Sequence, residues 1–493
     1  MAFQFLRVLN GPNPENQLLI FALMATVVTT RDPSTFWASV REALRGSHQD
    51  YTAGSLTRAI FLLAVPMVLE MLMESLFAIV DVFWVARLGA DSVATVGLVE
   101  SVLALVYSVG MGLGLSATAM VARRVGEKDR DGAAVAGVQA IALGLLVGLG
   151  MGTPCLYFAP HLLRLMGASP AVLALGTSFA RITLGGCGVV LLLFLNNAVF
   201  RGAGDAAIAM RVLWLSNSIN MVLDPCLIFG LGPFPRLGVT GAAVATLSGR
   251  TIGVLYQVYR LLKGGEHLRI FTRQIRLNLK VMRRLLTVSV TGITQLVIPQ
   301  VAWTSLVRIV SVFGSTALAS YTIGIRIIIF FILPAWGLSG AAATLVGQNL
   351  GAKQPERAEE SVWKTGFYNM LFLGGEGVLL FLFAAPVMRF FTHDPAVIPL
   401  GVSCLRILSL GNVGYAYGMV MQQAFNGAGD TLTPTFVNFF GFLLFEIPLA
   451  YELAIPFGMR SNGVYWAIMV AESAIAAVSA LLFRRGRWKE RKI

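Results

Sequence analysis

Three carboxylates stand in a stretch of sequence almost free of other charge. Glu70, Glu74 and Asp81 are spaced by four and seven residues, which puts all three on one face of a helix. A second polar set follows at Asn217, Asn220 and Asp224, where Asn220 and Asp224 are one helical turn apart beside Pro225. Thr246 adds a hydroxyl from the next apolar stretch. Charge inside an apolar span is expensive and marks function by default. Carboxylates grouped with amide and hydroxyl oxygens suit a proton, which a poorly solvated carboxyl holds tightly. They equally suit Na+, which wants several oxygen ligands. The competing reading is a polar network that merely ties helices together.

Other charges expected within spans are Glu100, Arg308, Arg326 and Glu446. Glu100 and Arg326 fall at nearly equivalent points of the two halves of the chain and are expected to face one another across a cavity, as a gate or as a structural pair. Gln295, Gln300 and Trp303 are expected either to line the same route or to serve packing.

These groups need apolar elements to hold them, and composition supplies the elements. Of 493 residues, 56% are apolar and 13% charged, with mean hydropathy +0.74. Soluble domains carry about a quarter charged residues. Twelve spans are predicted, near 58–84, 93–118, 133–157, 171–198, 206–231, 237–261, 281–311, 317–345, 361–386, 396–423, 431–455 and 461–483. The net charge of +13 sits in short loops and the tail and has no aromatic-interleaved face, so nucleic acid is not an expected partner. Basic loops face the cytoplasm, so both termini are expected there, in a multi-pass protein of the cell inner membrane. The four Cys and four His form no metal-like spacing, and no Walker motif occurs. No cofactor and no enzymatic activity are expected. The expected partners are the bilayer and small organic substrates, with the chain a monomer.

A shift of 225 residues superposes Gly89 on Gly314, Gly112 on Gly337, Gly126 on Gly351, and Phe200-Arg-Gly-Ala-Gly-Asp205 on Phe425-Asn-Gly-Ala-Gly-Asp430. The expected fold is therefore an all-α membrane protein of twelve transmembrane helices in two pseudo-symmetric six-helix bundles, related by an axis along the membrane normal. The expected division is an N-terminal extension, 1–54, partly amphipathic or poorly ordered; an N-lobe, 55–262; a basic cytoplasmic linker, 263–280; a C-lobe, 281–485; and a basic tail, 486–493. Within the extension, 17–28 is apolar but too short for a normal span. The Gly-Ala-Gly-Asp segments read as turns in which Gly ends one helix and Asp caps the next. The same shift replaces Glu74, Asp81 and Asp224 with Pro299, Leu306 and Leu449, so the acids are expected to serve the first half alone.

Taken together, several segments resemble the multidrug and toxic compound extrusion (MATE) family over residues 55–485. They are Val65-Pro-Met-Val-Leu-Glu, Ile79-Val-Asp-Val-Phe-Trp-Val85, Val121-Ala-Arg-Arg-Val-Gly126, Asn220-Met-Val-Leu-Asp-Pro225, Leu345-Val-Gly-Gln-Asn-Leu-Gly351 and both Gly-Ala-Gly-Asp turns. The resemblance implies a secondary active antiporter that exports cationic or amphiphilic organic compounds in exchange for H+ or Na+. It implies a cation site at Asp81, Asn220, Asp224 and Thr246, with Na+ as the one metal ion that site would take. It also implies a bend of the first helix at Pro66. Glu70, Glu74, Asn217, Glu100, Gln295 and Arg326 remain additional cavity candidates. The alternative is a flippase for lipids or lipid-linked saccharides from the related superfamily, which would favour a strongly cationic cavity.

Overall fold

The computed structural model describes residues 33–47, 49–264 and 268–491. The apolar stretch 17–28 lies outside them. Within a bilayer each backbone N–H and C=O must be satisfied locally, which leaves helices as the solution for such spans. A lead-in helix, Pro33–Arg45, precedes twelve long ones. In the first half these are α1 (Leu56–Ala86), α2 (Ala90–Gly126), α3 (Arg130–Leu165), α4 (Pro170–Ala203, interrupted at Gly186), α5 (Ala206–Phe229) and α6 (Val239–Lys263). In the second they are α7 (Leu279–Ser311), α8 (Ser315–Gly351), α9 (Pro355–Phe391), α10 (Val397–Gly427), α11 (Leu432–Ala454) and α12 (Ser461–Arg484).

Eleven of them are long and apolar enough to cross a membrane. The twelfth, α6, is 25 residues long but carries Arg250 near its centre, and it packs along α5. Several helices run past their expected ends, most clearly α2, α3, α8 and α9. Hydropathy marks only the lipid-facing length, whereas the helix continues into the polar zone until a cap stops it.

The two halves repeat one another in backbone detail. Gly204 and Gly429, equivalent under the 225-residue shift, both take left-handed conformations (φ 92° and 80°) in the Gly-Ala-Gly-Asp turns. So do Lys128 and Lys353 (φ 61° and 59°), a conformation costly for any residue with a Cβ. Asp430 accepts from the Thr433 hydroxyl at 2.6 Å and its N–H at 3.4 Å. The Asp205 side chain makes no capping bond to its helix, so the expected capping role holds for the second turn and not for the first.

Contact between the halves follows the same symmetry. A Cβ on Gly112 would lie 2.5 Å from the Ile293 nitrogen, and one on Gly337 2.4 Å from the Met67 oxygen. A Cβ on Gly126 would lie 1.9 Å from the Gln348 carbonyl oxygen, and one on Gly351 2.2 Å from that of Arg123. Small residues allow such backbone approach where burial of apolar surface offers little drive. The last two contacts join α2 and α8 at the end of the molecule where the basic loops gather.

Both chain ends fasten this same face. Tyr51 donates to the Gly204 carbonyl (3.4 Å), Arg211 donates to that of Leu44 (2.9 Å), and Lys128 pairs with Asp50. From the other half, Arg357 donates to the carbonyls of Ala53 and Gly54, each at 3.0 Å. At the tail, Arg491 pairs with Asp430 (3.0 Å), Lys489 pairs with Glu359 (2.6 Å), and Arg123 donates to the Arg491 carbonyl (2.6 Å). Residues 44–54 and 488–491 thus bridge both halves.

Candidate functional site

The sites are built on helices brought close by small residues. α6 approaches α5 at Gly249, where a Cβ would meet the Ser216 carbonyl at 2.5 Å. That approach sets Thr246 beside Asn220, whose amide donates to the Thr246 hydroxyl at 2.9 Å and to Asp224 at 3.3 Å. Asp224 is fully buried and Asn220 nearly so. Asp81, partly buried on α1, lies within electrostatic reach of Asp224. One oxygen of Asn220 and one of Asp224 are buried with no hydrogen-bond partner. Oxygen acceptors without donors, beside a second carboxylate, are what a small hard cation or a proton would take up.

The other two acids of α1 are spent differently. Glu70, 1% exposed, pairs with Arg201 at 2.7 Å and accepts from Asn197 at 3.2 Å. Asn197 in turn accepts from Gln257 at 2.7 Å, and Gln257 accepts from Asn196 at 3.1 Å. Glu74 pairs with Arg250 at 3.2 Å and accepts from Asn217 at 3.0 Å. Arg250, 2% exposed, also reaches the Tyr107 hydroxyl (3.4 Å) and lies over the Phe77 ring at 5.4 Å. Sequence reasoning missed Arg250, although a cation one turn from Thr246 inside an apolar stretch was a readable signal. Arg201 lies in the last turn of α4 and reaches back to Glu70.

Glu100 and Arg326 are both exposed; they lie within electrostatic reach of one another but form no ion pair. α1 runs unbroken through Pro66 in this conformation.

In the second half a cavity of about 510 Å³ reaches from α7 and α8 to α10, α11 and α12, with Met111 and Leu115 of α2 at its edge. Gln295, Gln300 and Trp303 line it, as do Glu446 and Glu472. Glu376, buried nearby on α9, accepts from Asn412 at 2.5 Å. The expectation that the acids serve the first half alone is therefore corrected. Glu376, Glu446 and Glu472 lie on helices of the second half, at positions the 225-residue shift does not match to Glu74, Asp81 or Asp224.

A sequence profile of the MatE family matches the chain twice, over residues 66–226 and 293–452. The chain belongs to the MatE family. Each match falls on one of the two structural halves, so the family's unit is the repeat itself. Similar proteins include the probable multidrug resistance protein NorM of Thermotoga maritima, 26% identical over 87% of this chain and 93% of its own length. The multidrug export protein MepA of Staphylococcus aureus is 22% identical over 86% and 93%. Among solved structures, a MATE protein in complex with MaL6 superposes with a TM-score of 0.84 at 27% identity, covering 92% of this chain and 99% of that one. A transporter of the MOP superfamily from Pyrococcus furiosus, described as having a binding pocket of reversed polarity, superposes with a TM-score of 0.83 at 26% identity, over 92% and 99%. This MatE chain is thus a multi-pass membrane protein of the multidrug efflux transporter family, folded as twelve helices in two lobes.

Proposed function

We propose that this MatE chain is a secondary active antiporter that exports cationic or amphiphilic organic compounds in exchange for H+ or Na+. The observation that carries the reading is the division of labour among the acids of the first lobe. Glu70 and Glu74 each pair directly with an arginine, while Asp224 is held by Asn220, which also donates to Thr246. Asp81, within electrostatic reach of Asp224 and of Arg250, makes no ion pair to a described residue. A direct ion pair would hold a carboxylate charged through the whole cycle. Acids outside such a pair are the ones free to change charge as the ion arrives and leaves. A proton or Na+ there favours one arrangement of the lobes and substrate favours the other, so each ligand draws on the same two-state equilibrium. In this reading the basic end of the molecule and both termini face the cytoplasm, across the cell inner membrane.

The flippase alternative asks for a cationic cavity. The second-lobe cavity contains two glutamates and no Lys, Arg or His among its lining residues, which supports the exporter reading over it. The test is efflux of a cationic dye from proteoliposomes under an imposed ΔpH or Na+ gradient. Asp81→Asn and Asp224→Asn should each remove the response to the gradient. Gradient-driven efflux that survives in both variants overturns the assignment.

A further inference from the structure

We propose that the lead-in segment and the tail form a reciprocal clasp across the seam between the lobes, and that this clasp sets how often the molecule opens at its basic end. The proposal rests on the transport reading above, which requires the lobes to part there. Each segment is fixed to its own lobe and gripped by an arginine of the other. The lead-in runs directly into α1 and is held by the first lobe, where Arg211 donates to the Leu44 carbonyl and Lys128 pairs with Asp50. Three carbonyls further along belong to the turn before α1, outside any helical ladder, and so need donors from elsewhere. Arg357, in the first turn of α9 in the second lobe, donates to those of Tyr51 (3.4 Å), Ala53 (3.0 Å) and Gly54 (3.0 Å).

The tail repeats the arrangement from the opposite side. Trp488, 1% exposed, stacks on Phe483 of α12 at 4.7 Å and donates to its carbonyl at 2.9 Å. Lys489 pairs with Glu359 and Arg491 with Asp430, both in the second lobe. The Arg491 carbonyl then accepts from Arg123 of α2, in the first lobe, at 2.6 Å.

Tyr51 stands where the clasp meets the seam. It is 2% exposed, and a Cβ on Gly204 would lie 2.8 Å from its ring and 3.3 Å from the Gln348 amide nitrogen. Gln348 and Thr344 of α8 donate to the carbonyls of Gly202 (3.1 Å) and Arg201 (3.0 Å) at the end of α4. The lead-in therefore covers the same turn of the first lobe on which the second lobe closes. When the lobes part at this end, Arg357 and Arg123 must release their carbonyls. Such bonds are individually modest. Carried on segments that stay tied to their own lobe, they re-form at high effective concentration once broken. Neither segment belongs to a span, so loosening the clasp leaves the sites inside the lobes intact.

The test is labelling of Met67→Cys in the full chain with its four native cysteines replaced, by a membrane-impermeant thiol reagent applied from the basic end. Met67 is 1% exposed and lines the chamber between the lobes, so its labelling rate follows the population open at that end, however small. Arg357→Ala and Arg123→Ala should each raise the rate by about fivefold or more, and the double variant by roughly the product, since the two grips share no partner. Ending the chain at Trp488 should match Arg123→Ala and add nothing to it, which separates loss of the grip from damage to α2. Arg58→Ala breaks a lead-in ion pair with Glu42 that stays within the first lobe and should leave the rate unchanged. Unchanged labelling in both Arg357→Ala and Arg123→Ala, or an equal rise in Arg58→Ala, overturns the clasp. Clasp-dependent labelling in a protein that moves no dye under any gradient would sustain the clasp and overturn the transport reading. Gradient-driven efflux with labelling unmoved would do the reverse.

Discussion

The contact between Gly126 and Gly351 offers a direct test of how the lobes meet. In the present conformation an alanine Cβ at residue 126 would stand 1.9 Å from the Gln348 carbonyl oxygen, and one at residue 351 would stand 2.2 Å from the Arg123 carbonyl oxygen. Real Cβ atoms essentially never come closer than 3.0 Å to such a neighbour, and both obstacles are backbone, which cannot rotate aside. The helices must therefore part by about 1 Å, and overpacking of this kind typically costs about 1–3 kcal/mol. Replacing glycine with alanine returns less than about 1 kcal/mol of helix propensity, since both residues sit in a last turn. A net cost of about 1.5 kcal/mol disfavours the state closed at the basic end by roughly tenfold, at about 1.4 kcal/mol per factor of ten.

The assay is labelling of Met111→Cys, a residue at the cavity edge, after replacement of the four native cysteines. A membrane-impermeant thiol reagent is applied from the basic end. Gly126→Ala and Gly351→Ala should each raise the labelling rate by an order of magnitude or more. A Cβ on Gly351 would also lie 3.0 Å from the Gly126 Cα, so the two substitutions wedge open one contact. The double variant should then exceed either single by much less than their product. Unchanged labelling in both singles, or full multiplicativity in the double, would refute the reasoning.

Three further outcomes follow from the same geometry. Arg250→Met leaves the Glu74 carboxylate without its cation in a mostly buried place and should cost about 3 kcal/mol in thermal unfolding in detergent; adding Glu74→Gln should recover more than half of that, and a fully additive double would count against the pairing. Arg357→Ala removes the donors to the carbonyls of Ala53 and Gly54, about 1 kcal/mol for each bond, and should speed tryptic cleavage between residues 41 and 58 without changing cleavage of the tail. Partial burial acts to raise the Asp50 pKa, but bonds from Lys128 and Thr52 outweigh it and take it from 3.8 to about 2. The unfolded group titrates higher than the folded one, so its contribution is complete above pH 3.8 and is lost as pH falls through about 2. Protection of the lead-in segment from pepsin should therefore persist at pH 3 in the native chain and drop there in Asp50→Asn.

The twelve helices and their pairing into halves were legible because two strong signals coincide. Apolar length reports the span, and a single ungapped shift reports the repeat, which the structure extends to the left-handed pair Lys128 and Lys353. The grouping of Asn220, Asp224 and Thr246 was also legible, since residues one turn apart must share a face and α5 and α6 are neighbours in the chain. What escaped was pairing between elements distant in sequence. Nothing in the spacing of α1 says that Glu70 meets Arg201 or that Glu74 meets Arg250, because the rotation of α1 about its axis is set by packing. The same limit hid the grouping of the second-lobe acids. Glu446 was read as a charge within a span, but Glu376 and Glu472 come from two other helices, and only the folded structure shows that Glu446 and Glu472 line one cavity.

The two lobes thus keep one backbone plan while distributing charge in opposite ways. In the first lobe arginines answer two of the acids, and the remaining pair sits with an amide and a hydroxyl in a space suited to a small ion. In the second, Glu446 and Glu472 have no basic neighbour and open onto a cavity large enough for an organic molecule. If the lobes move against each other as bodies, as the antiport reading requires, a ligand in either place biases the same equilibrium without touching the other. Coupling of that kind is reciprocal and commonly amounts to about 1–3 kcal/mol. If the ion and the cation occupy separate lobes, saturating ion should lower the apparent affinity for dye to a finite limit set by that coupling. Competition at one shared site would instead lower it without limit as the ion concentration rises. A titration of propidium binding against Na+ or pH separates the two, and an unbounded shift would place both ligands in one lobe.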